Sequence, residues 1–178
     1  MARIAPIDPS RASGRARELL DELVERGGTP GPMVAAMANA PALLRGYMEL
    51  DRAMKRSHID RPISERIALA AQERIGCGVC LAAHTHAARV LGLSDADIEL
   101  ARQGTATDPK IAAMVAFGQH VVAAPSEVSD EQIDELRAVG YSDEQIAEVV
   151  GLVSLQLLTG AFNLVAGIQT IPTARSAA

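Results

Sequence analysis

The stretch DRPISERIALAAQERIGCGVCLAAHTHAARV, residues 60–90, decides the fold, because it carries the start of one helix, its end and the start of the next. Asp60 is a favourable N-cap, and Pro62 suits the first turn of a helix, where its missing N–H is not needed. Apolar residues then recur at helical spacing up to the next glycine. We therefore expect a helix near residues 61–75.

Gly76 and Gly78 interrupt this pattern on either side of Cys77. Glycine is common just past the end of a helix because it tolerates a left-handed backbone. We expect a second helix to begin at this break and to continue to about Val90. Cys77 would then lie at or just before its first turn.

The rest of the chain shows similar signals, and no segment has the sustained alternation of a strand. We predict an all-α fold with an N-terminal arm over 1–9, a single helical domain over 10–170 and a C-terminal tail over 171–178. Two connections, LGLSDADI at 91–98 and VGYSDEQI at 139–146, resemble each other. The expected boundary residues are Ser10, the segment 27–32, Pro41, Gly92, Ser94, Asp108, Pro109, Pro125, Ser129 and Ser142.

The composition argues against some functions. The net charge is −5 and aromatic residues make up 2%, whereas nucleic-acid binders usually combine a basic face with stacking aromatics. The N-terminal sequence MARIAPIDPSRASGRARELL lacks the apolar run of a secretory signal. We therefore expect a cytoplasmic protein that binds no nucleic acid. In a reducing compartment, two cysteines do not indicate a structural disulfide framework.

One apolar stretch, IAEVVGLVSLQLLTGAFNLVAGI at 146–168, is about long enough to span a bilayer. It contains Glu148, Gln156 and Asn163 and lacks basic flanks and aromatic anchors. We expect a helix buried in a helical core, with no membrane contact. Part of its surface should face partner subunits, because a large exposed apolar face is unusual for a monomer.

The segment GCGVCLAAHTH, residues 76–86, holds both cysteines of the chain. On a helix, Cys77, Cys80 and His84 share one face. The helix start favours a thiolate, and a neighbouring imidazole can take up the thiol proton. The second thiol can attack an adduct of the first, giving an intrachain disulfide that an external reductant returns to the dithiol. The pattern favours a two-cysteine redox site.

Three alternatives use the same residues. A structural zinc site needs four ligands, so the three side chains would have to recruit His58 or His86. Covalent haem attachment needs a His directly after the second Cys, and here that residue is Leu81. Finally, both cysteines could simply be small buried hydrophobes. The spacing, the helix start and the His together favour the redox interpretation over these.

The stretch ISERIALAAQERIGCGVCLAAH, residues 63–84, resembles the signature of the alkylhydroperoxidase D-like, carboxymuconolactone decarboxylase superfamily. That signature is a Glu, a Cys twelve positions later, a second Cys in CxxC spacing and a His four positions beyond it. Here these are Glu65, Cys77, Cys80 and His84. The resemblance covers most of the chain from about residue 30, and its flanking segments are 39–54 and 136–167, the latter with Asn163.

The resemblance implies an all-helical fold that assembles as trimers or hexamers, and a thiol-dependent peroxidase or disulfide reductase. It makes Cys80 the thiol that attacks a peroxide and Cys77 the resolving thiol. His84 would be the base near Cys80, and Glu65 would orient it or relay its proton. It implies no bound cofactor or metal, a hydroperoxide or other small molecule as substrate, and a lipoyl-type or thioredoxin-like dithiol as reductant.

One position departs from the best-characterised peroxidase pattern, which has a His between the cysteines. Gly78 and Val79 stand there, so the relay is shorter and the site more apolar, which opposes thiolate formation. Two other functions stay open: a lactone enzyme of the carboxymuconolactone decarboxylase type, which does not depend on a CxxC, and a non-catalytic redox-sensing oligomer. By spacing alone, Glu65 would instead form a surface ion pair with Arg61 or Arg66.

Overall fold

The structure is a computed structural model that describes residues 2–168. Within this range the chain forms nine α-helices, two 3₁₀ turns and no strand, which confirms the predicted all-α fold. The predicted tail, 171–178, lies outside the described residues. The helices are α1 (Gly14–Glu25), α2 (Pro32–Met37), α3 (Pro41–Met54), α4 (Arg61–Ile75), α5 (Gly78–Val90), α6 (Asp95–Arg102), α7 (Pro109–Ala123), α8 (Asp130–Ala138) and α9 (Asp143–Ala166), with 3₁₀ turns at Pro9–Arg11 and Pro125–Glu127.

The last four helices begin where capping residues predict them. The first helix, expected from Ser10, instead begins at Gly14 with Ser13 as its N-cap, and Asp60 precedes α4 without a side-chain cap bond. Asp108 precedes α7, and its side chain accepts a hydrogen bond from the amide of Ile111 at 3.0 Å. Ser129 precedes α8 and accepts from the amide of Gln132 at 3.3 Å. These bonds satisfy amides that have no partner within the helix. Local chemistry of the chain therefore sets the helix boundaries.

The two similar connections have the same hydrogen bonds. Ahead of α6, the hydroxyl of Ser94 accepts from the amide of Asp97 at 3.1 Å, and the amide of Ser94 donates to the Asp97 carboxylate at 3.2 Å. Ahead of α9, Ser142 and Gln145 exchange the equivalent bonds at 3.2 and 3.1 Å. Both are capping boxes. The sequence similarity thus reflects one helix–turn–helix connection used twice.

The described residues form two compact units: 2–45 with 162–168, and 46–161. The larger unit contains every residue of the candidate site. In it, α4 lies against α5, α6 and α7. Residues Ile67, Leu69 and Ala70 of α4 are fully buried, because the helix is covered on several sides. This central position fixes α4 as the support for the first turn of α5.

The helix α9 contributes to the core of the larger unit through residues such as Val149 and Val153. By length and composition alone α9 could cross a membrane, and 44% of its most apolar window is buried within the structure. Val150 and Leu157 on its other side are 47% and 42% exposed. The core position matches the expectation for this stretch, and the homo-oligomer and the absence of membrane contact stay predictions.

In the smaller unit, the N-terminal arm binds the end of α9. The amides of Arg3 and Ile4 donate to the carbonyl oxygen of Ala166 at 2.7 and 3.1 Å. The guanidinium of Arg3 donates to the carbonyl of Leu164 at 2.6 Å. The last carbonyls of a helix have no partner within it. The arm therefore acts as a cap supplied from the other end of the chain.

Candidate functional site

The reversal between α4 and α5 places Cys77 at the start of a helix. Gly76 ends α4 with φ of 78°, a left-handed conformation that a glycine adopts at no steric cost. The amides of Gly76 and Cys77 both return to the carbonyl of Gln72, at 2.9 and 3.2 Å. Cys77 is then the N-cap of α5, and its sulfur accepts from the amide of Cys80 at 3.3 Å. The predicted position of Cys77 is confirmed.

Cys77 and Cys80 form a disulfide, with their Cα atoms 5.3 Å apart. Cys77 is fully buried, and Cys80 keeps 6% of its surface exposed. The pair sits at the positive end of the α5 dipole, among amides that stabilise negative charge. A thiolate formed here on reduction would therefore be favoured by the helix start.

Glu65 on α4 and His84 on α5 are in direct contact. Nδ1 of His84 lies 2.7 Å from Oε2 of Glu65. The carboxylate is buried, with its side chain 9% exposed, and the imidazole side chain is 24% exposed. Hydrogen bonds between charged groups are strong in such an interior. The two residues that the motif predicts as a pair are therefore brought together.

The arginines next to Glu65 take different partners. Arg61 approaches the second carboxylate oxygen of Glu65 at 3.4 Å. Arg66 instead donates to the carbonyl of Pro62 at 3.2 Å and to Asp97 at 3.3 Å. Spacing alone predicted a surface ion pair between Glu65 and Arg61 or Arg66. That prediction is wrong about the surface, because Glu65 is buried, and its closest partner is the imidazole of His84. The Arg61 contact exists as a secondary one.

Two glutamines complete the site, and sequence reasoning missed both as site residues. Nε2 of His84 lies 3.0 Å from Oε1 of Gln156 on α9. Gln72 on α4 is fully buried, and its Nε2 donates to Oε1 and to the backbone carbonyl of Gln156, at 2.9 and 3.0 Å. Gln156 is a polar residue in an apolar stretch of the sequence, and this contrast could have marked it as a site residue. Gln72 is followed by polar residues, so the sequence around it carries no such contrast.

A pocket of about 140 Å³ opens beside the Glu65–His84 pair, and neither cysteine lines it. Among the lining residues, Met54, Ala68, Leu152 and Leu155 are apolar, and Asp51, Lys55 and Arg61 are charged.

Elsewhere in the larger unit, His58, Glu144 and Glu148 bring potential metal-ligand atoms within 4.8 Å of one another. The side chains of His58 and Glu144 are about two-thirds exposed, at 64% and 65%. Glu148 accepts from the backbone amide of His58 at 2.8 Å, so this carboxylate already has a structural partner. The arrangement is explained by surface hydrogen bonding. It lies apart from the disulfide site in the sequence and shares no residue with it.

Comparison with known proteins gives consistent matches. Residues 41–120 match the carboxymuconolactone decarboxylase family. The chain is 27% identical over 119 residues to the uncharacterized protein YdfG of Bacillus subtilis strain 168, an alignment that covers 65% of this chain and 80% of YdfG. Residues 41–120, the region that matches the family, contain Glu65, Cys77, Cys80 and His84.

Two solved structures share the fold. An alkylhydroperoxidase AhpD core protein, an uncharacterized peroxidase-related protein from Ralstonia eutropha JMP134, superposes with a TM-score of 0.79 at 20% identity, covering 94% of this chain and 91% of that one. The debrominase Bmp8, as its C82A variant in complex with 2,3,4-tribromopyrrole, superposes with a TM-score of 0.74 at 19% identity, covering 94% and 90%. At these identities the likeness concerns the fold alone.

Proposed function

We propose that this protein is a thiol oxidoreductase of the alkylhydroperoxidase D-like type, which reduces hydroperoxides through Cys77 and Cys80. The match of residues 41–120 to the carboxymuconolactone decarboxylase family supports the proposal. The proposal is carried by two observations together: the CxxC disulfide at the start of α5, and the hydrogen bond of 2.7 Å by which Glu65 on α4 meets His84 on α5. Both a redox couple and a proton carrier are thus present in one unit.

The oxidative half of the reaction needs one attacking thiolate. The Cys80 thiolate attacks the distal oxygen of ROOH, the O–O bond breaks, and ROH leaves after taking a proton, so Cys80 becomes a sulfenic acid. The Cys77 thiolate then attacks the Cys80 sulfur, which forms the disulfide and releases water. The exposure of the two residues supports this order, because Cys80 is 6% exposed and Cys77 is fully buried.

The reductive half needs an external dithiol, which we propose is of the lipoyl or thioredoxin-like type. Its first thiolate attacks the disulfide to form a mixed disulfide, and its second thiolate resolves it. The reductant loses two electrons and two protons, and Cys77 and Cys80 become thiols again. The protein therefore needs no bound cofactor for turnover.

The substrate is proposed to be small. The pocket beside His84 has a volume of about 140 Å³, and Met54, Leu152 and Leu155 give it an apolar wall. Small apolar pockets with a few polar groups suit compact organic molecules. A short-chain organic hydroperoxide fits this description better than a lipid hydroperoxide does.

The decisive test is peroxide consumption by purified protein with dihydrolipoamide as reductant and tert-butyl hydroperoxide as substrate. We expect Cys80→Ser to abolish turnover, and Cys77→Ser to stop after one oxidation with a sulfenic acid or mixed disulfide trapped on Cys80. Retained turnover in Cys80→Ser would contradict the assignment. A lactone decarboxylase would keep its activity with both cysteines replaced, and a sensor would oxidise once without turnover.

Because the chain shares its fold with the debrominase Bmp8, we add a second substrate to this assay. Incubation of the reduced protein with 2,3,4-tribromopyrrole, the ligand of the Bmp8 complex, tests a halogenated electrophile beside the peroxide. Bromide release that depends on Cys80, with no peroxide turnover, would keep the thiol mechanism and reassign the substrate.

A further inference from the structure

We infer that Gln156, oriented by Gln72, keeps a proton on Nε2 of His84 while the cysteines are disulfide-bonded, so that both glutamines are positioning residues of the redox site. The inference deepens the proposed function and rests on it for its role in turnover. It is carried by a chain of hydrogen bonds in which each partner fixes the next one.

The chain begins at the backbone carbonyl of Gln156, which can only accept. It accepts from the side chain of Gln72 at 3.0 Å, so the atom of Gln72 that faces it must be the amide nitrogen. Gln72 is fully buried, and no water-exposed alternative position is open to its amide group. The backbone of α9 therefore decides which way the Gln72 amide points.

The same nitrogen of Gln72 fixes the side chain of Gln156. It lies 2.9 Å from that side chain and can only donate, so the atom it meets is the oxygen Oε1. That oxygen also lies 3.0 Å from Nε2 of His84. A carbonyl oxygen can accept both bonds, since it has two lone pairs, and the ring nitrogen must then be the donor.

The other ring nitrogen of His84 faces the carboxylate of Glu65 at 2.7 Å. A proton lies in that bond, and a second proton lies on Nε2. With the cysteines as a disulfide, the Glu65–His84 pair therefore holds both protons and presents no free lone pair at Nε2. In this state the pair is a proton donor, and after giving up one proton it becomes the base that the oxidative half requires.

This placement balances the reductive half. When the first thiolate of the dithiol attacks the disulfide, one cysteine sulfur leaves as a thiolate and takes a proton from the Glu65–His84 pair. The second thiol of the reductant releases its proton to solvent and its thiolate attacks the mixed disulfide, so the second cysteine sulfur leaves and takes a proton from solvent. The pair ends the reduction one proton short, which is the base form that the oxidative half requires, and it regains that proton from the resolving thiol when the disulfide re-forms.

An unfavourable feature of the network supports a functional reason for it. Oε1 of Gln72 is buried and has no hydrogen-bond partner among the described residues. Leaving a buried acceptor unsatisfied is destabilising, and an apolar side chain of similar size would remove that cost. A glutamine at this position is explained by the need to orient Gln156.

The charged groups around His84 set the background for any pH dependence. Glu65 and Arg61 face it from α4, and Asp51 and Lys55 line the same pocket from the region of α3. On α9 the facing residue is the uncharged Gln156. Replacing Gln156 with Met therefore leaves the charges of the site unchanged, whereas replacing it with Glu adds one negative charge.

The test uses Gln156→Met, which keeps the volume and removes the acceptor, and Gln156→Glu, which restores an acceptor for both bonds. The first readout is the ¹⁵N NMR spectrum of His84 in the oxidised protein. We expect a protonated Nε2 in the wild type and in Gln156→Glu, and loss of that signature near neutral pH in Gln156→Met.

The second readout is the rate of disulfide reduction by dithiothreitol as a function of pH. We expect the disulfide of Gln156→Met to be reduced more slowly by about a hundredfold at neutral pH, the low end of what acid–base catalysis contributes, with the wild-type rate approached at lower pH. Gln72→Met, which should act through Gln156, serves as a second variant if Gln156→Met does not fold. The matched control is Gln132→Leu, which removes a similar glutamine–histidine bond of 2.8 Å at His120 outside the site.

An unchanged His84 spectrum and an unchanged pH profile in Gln156→Met and Gln72→Met would overturn the inference. Neither readout requires peroxide turnover, so failure of the proposed peroxidase activity would be seen separately. An effect of equal size in Gln132→Leu would also overturn it, because the response would not be specific to the site.

Discussion

Nδ1 of His84 lies 2.7 Å from Oε2 of Glu65, across the junction between the helix that precedes the cysteines and the helix that begins at them. The two residues are 19 positions apart in the chain and meet because Gly76 reverses its direction. A carboxylate in this position fixes the orientation and the tautomer of the ring. The acid–base pair is therefore assembled by the backbone before any substrate arrives.

Replacing the carboxylate tests this pair. In Glu65→Gln the charge beside His84 is lost, so we expect alkylation of Cys80 in the reduced protein at neutral pH to slow by roughly tenfold to a hundredfold. The measurement is the rate of reaction with iodoacetamide across a pH series. Glu73→Gln on the same helix removes a carboxylate that is exposed and bonded to Arg102 at 2.8 Å, and it should leave the rate unchanged.

Gly160 has no side chain, and this leaves room for the buried side chain of Gln72. A Cβ atom at position 160 would lie 2.7 Å from Oε1 of Gln72 and 2.9 Å from Cγ2 of Ile75. Gln72 is fully buried, so overpacking in Gly160→Ala should destabilise the fold by about 1–3 kcal/mol, offset in part by the roughly 1 kcal/mol helix preference of alanine. Urea unfolding measures the difference.

The matched control for that substitution is on the same helix. In Gly151→Ala the new methyl group would meet Sδ of Met54, at 2.7 Å, which is part of a flexible side chain. We expect its free energy of unfolding to stay close to that of the wild type. The double variant Gln72→Ala/Gly160→Ala removes the clash, so its loss in the free energy of unfolding should be smaller than the sum of the two single losses. Strictly additive losses would show that position 160 does not act through Gln72.

The cap of α6 is expected to contribute measurably to stability. Ser94→Ala removes the acceptor for the amide of Asp97, at 3.1 Å, and should cost about 1 kcal/mol in the free energy of unfolding. The hydrogen bonds from Ser94 lower the pKa of Asp97, with a smaller contribution from Arg66. The carboxyl pKa should therefore move towards its ordinary value in the variant, as followed by NMR titration. Ser154 is an exposed serine inside α9. The free energy of unfolding of Ser154→Ala should equal that of the wild type within experimental error.

Alkaline pH should destabilise the fold through Tyr47. Burial, with a contribution from Asp51, raises the pKa of Tyr47 from 10.0 to about 12. The unfolded chain therefore loses this proton at lower pH than the folded one, so the free energy of unfolding is unaffected below pH 10 and falls as the pH rises towards 12. The loss should be on the order of 2 kcal/mol and should be absent from Tyr47→Phe in urea titrations. An equal fall in both proteins would assign the effect to other groups.

Most helix boundaries were predictable because each depends on a few neighbouring residues, although α1 begins at Gly14 and not at the expected Ser10. The predicted helix near 61–75 is observed as Arg61–Ile75, and the one predicted to end at about Val90 does so. Proline, glycine and serine act locally, within one turn of a helix end, and their effects can be read without knowing what packs where. Only the packing of these helices required the structure.

The candidate site was predictable only in part, for a physical reason. Cys77, Cys80 and His84 lie within eight positions of one another, so helical spacing already places them together. The contact between Gln72 and Gln156 joins residues 84 positions apart. Such a contact depends on how two helices pack, which no local pattern records. The sequence of α9 showed a polar residue without showing what it binds.

The contact between Arg3 and Ala166 has a consequence for engineering the chain. With the amide nitrogen of Arg3 2.7 Å from the carbonyl oxygen of Ala166, the two ends of the described chain lie side by side. Proteins with adjacent ends commonly tolerate circular permutation. A short linker can join the ends, and new ends can be opened in the exposed turn before Asp108. In the permuted protein the arm that caps α9 would follow α9 in the chain.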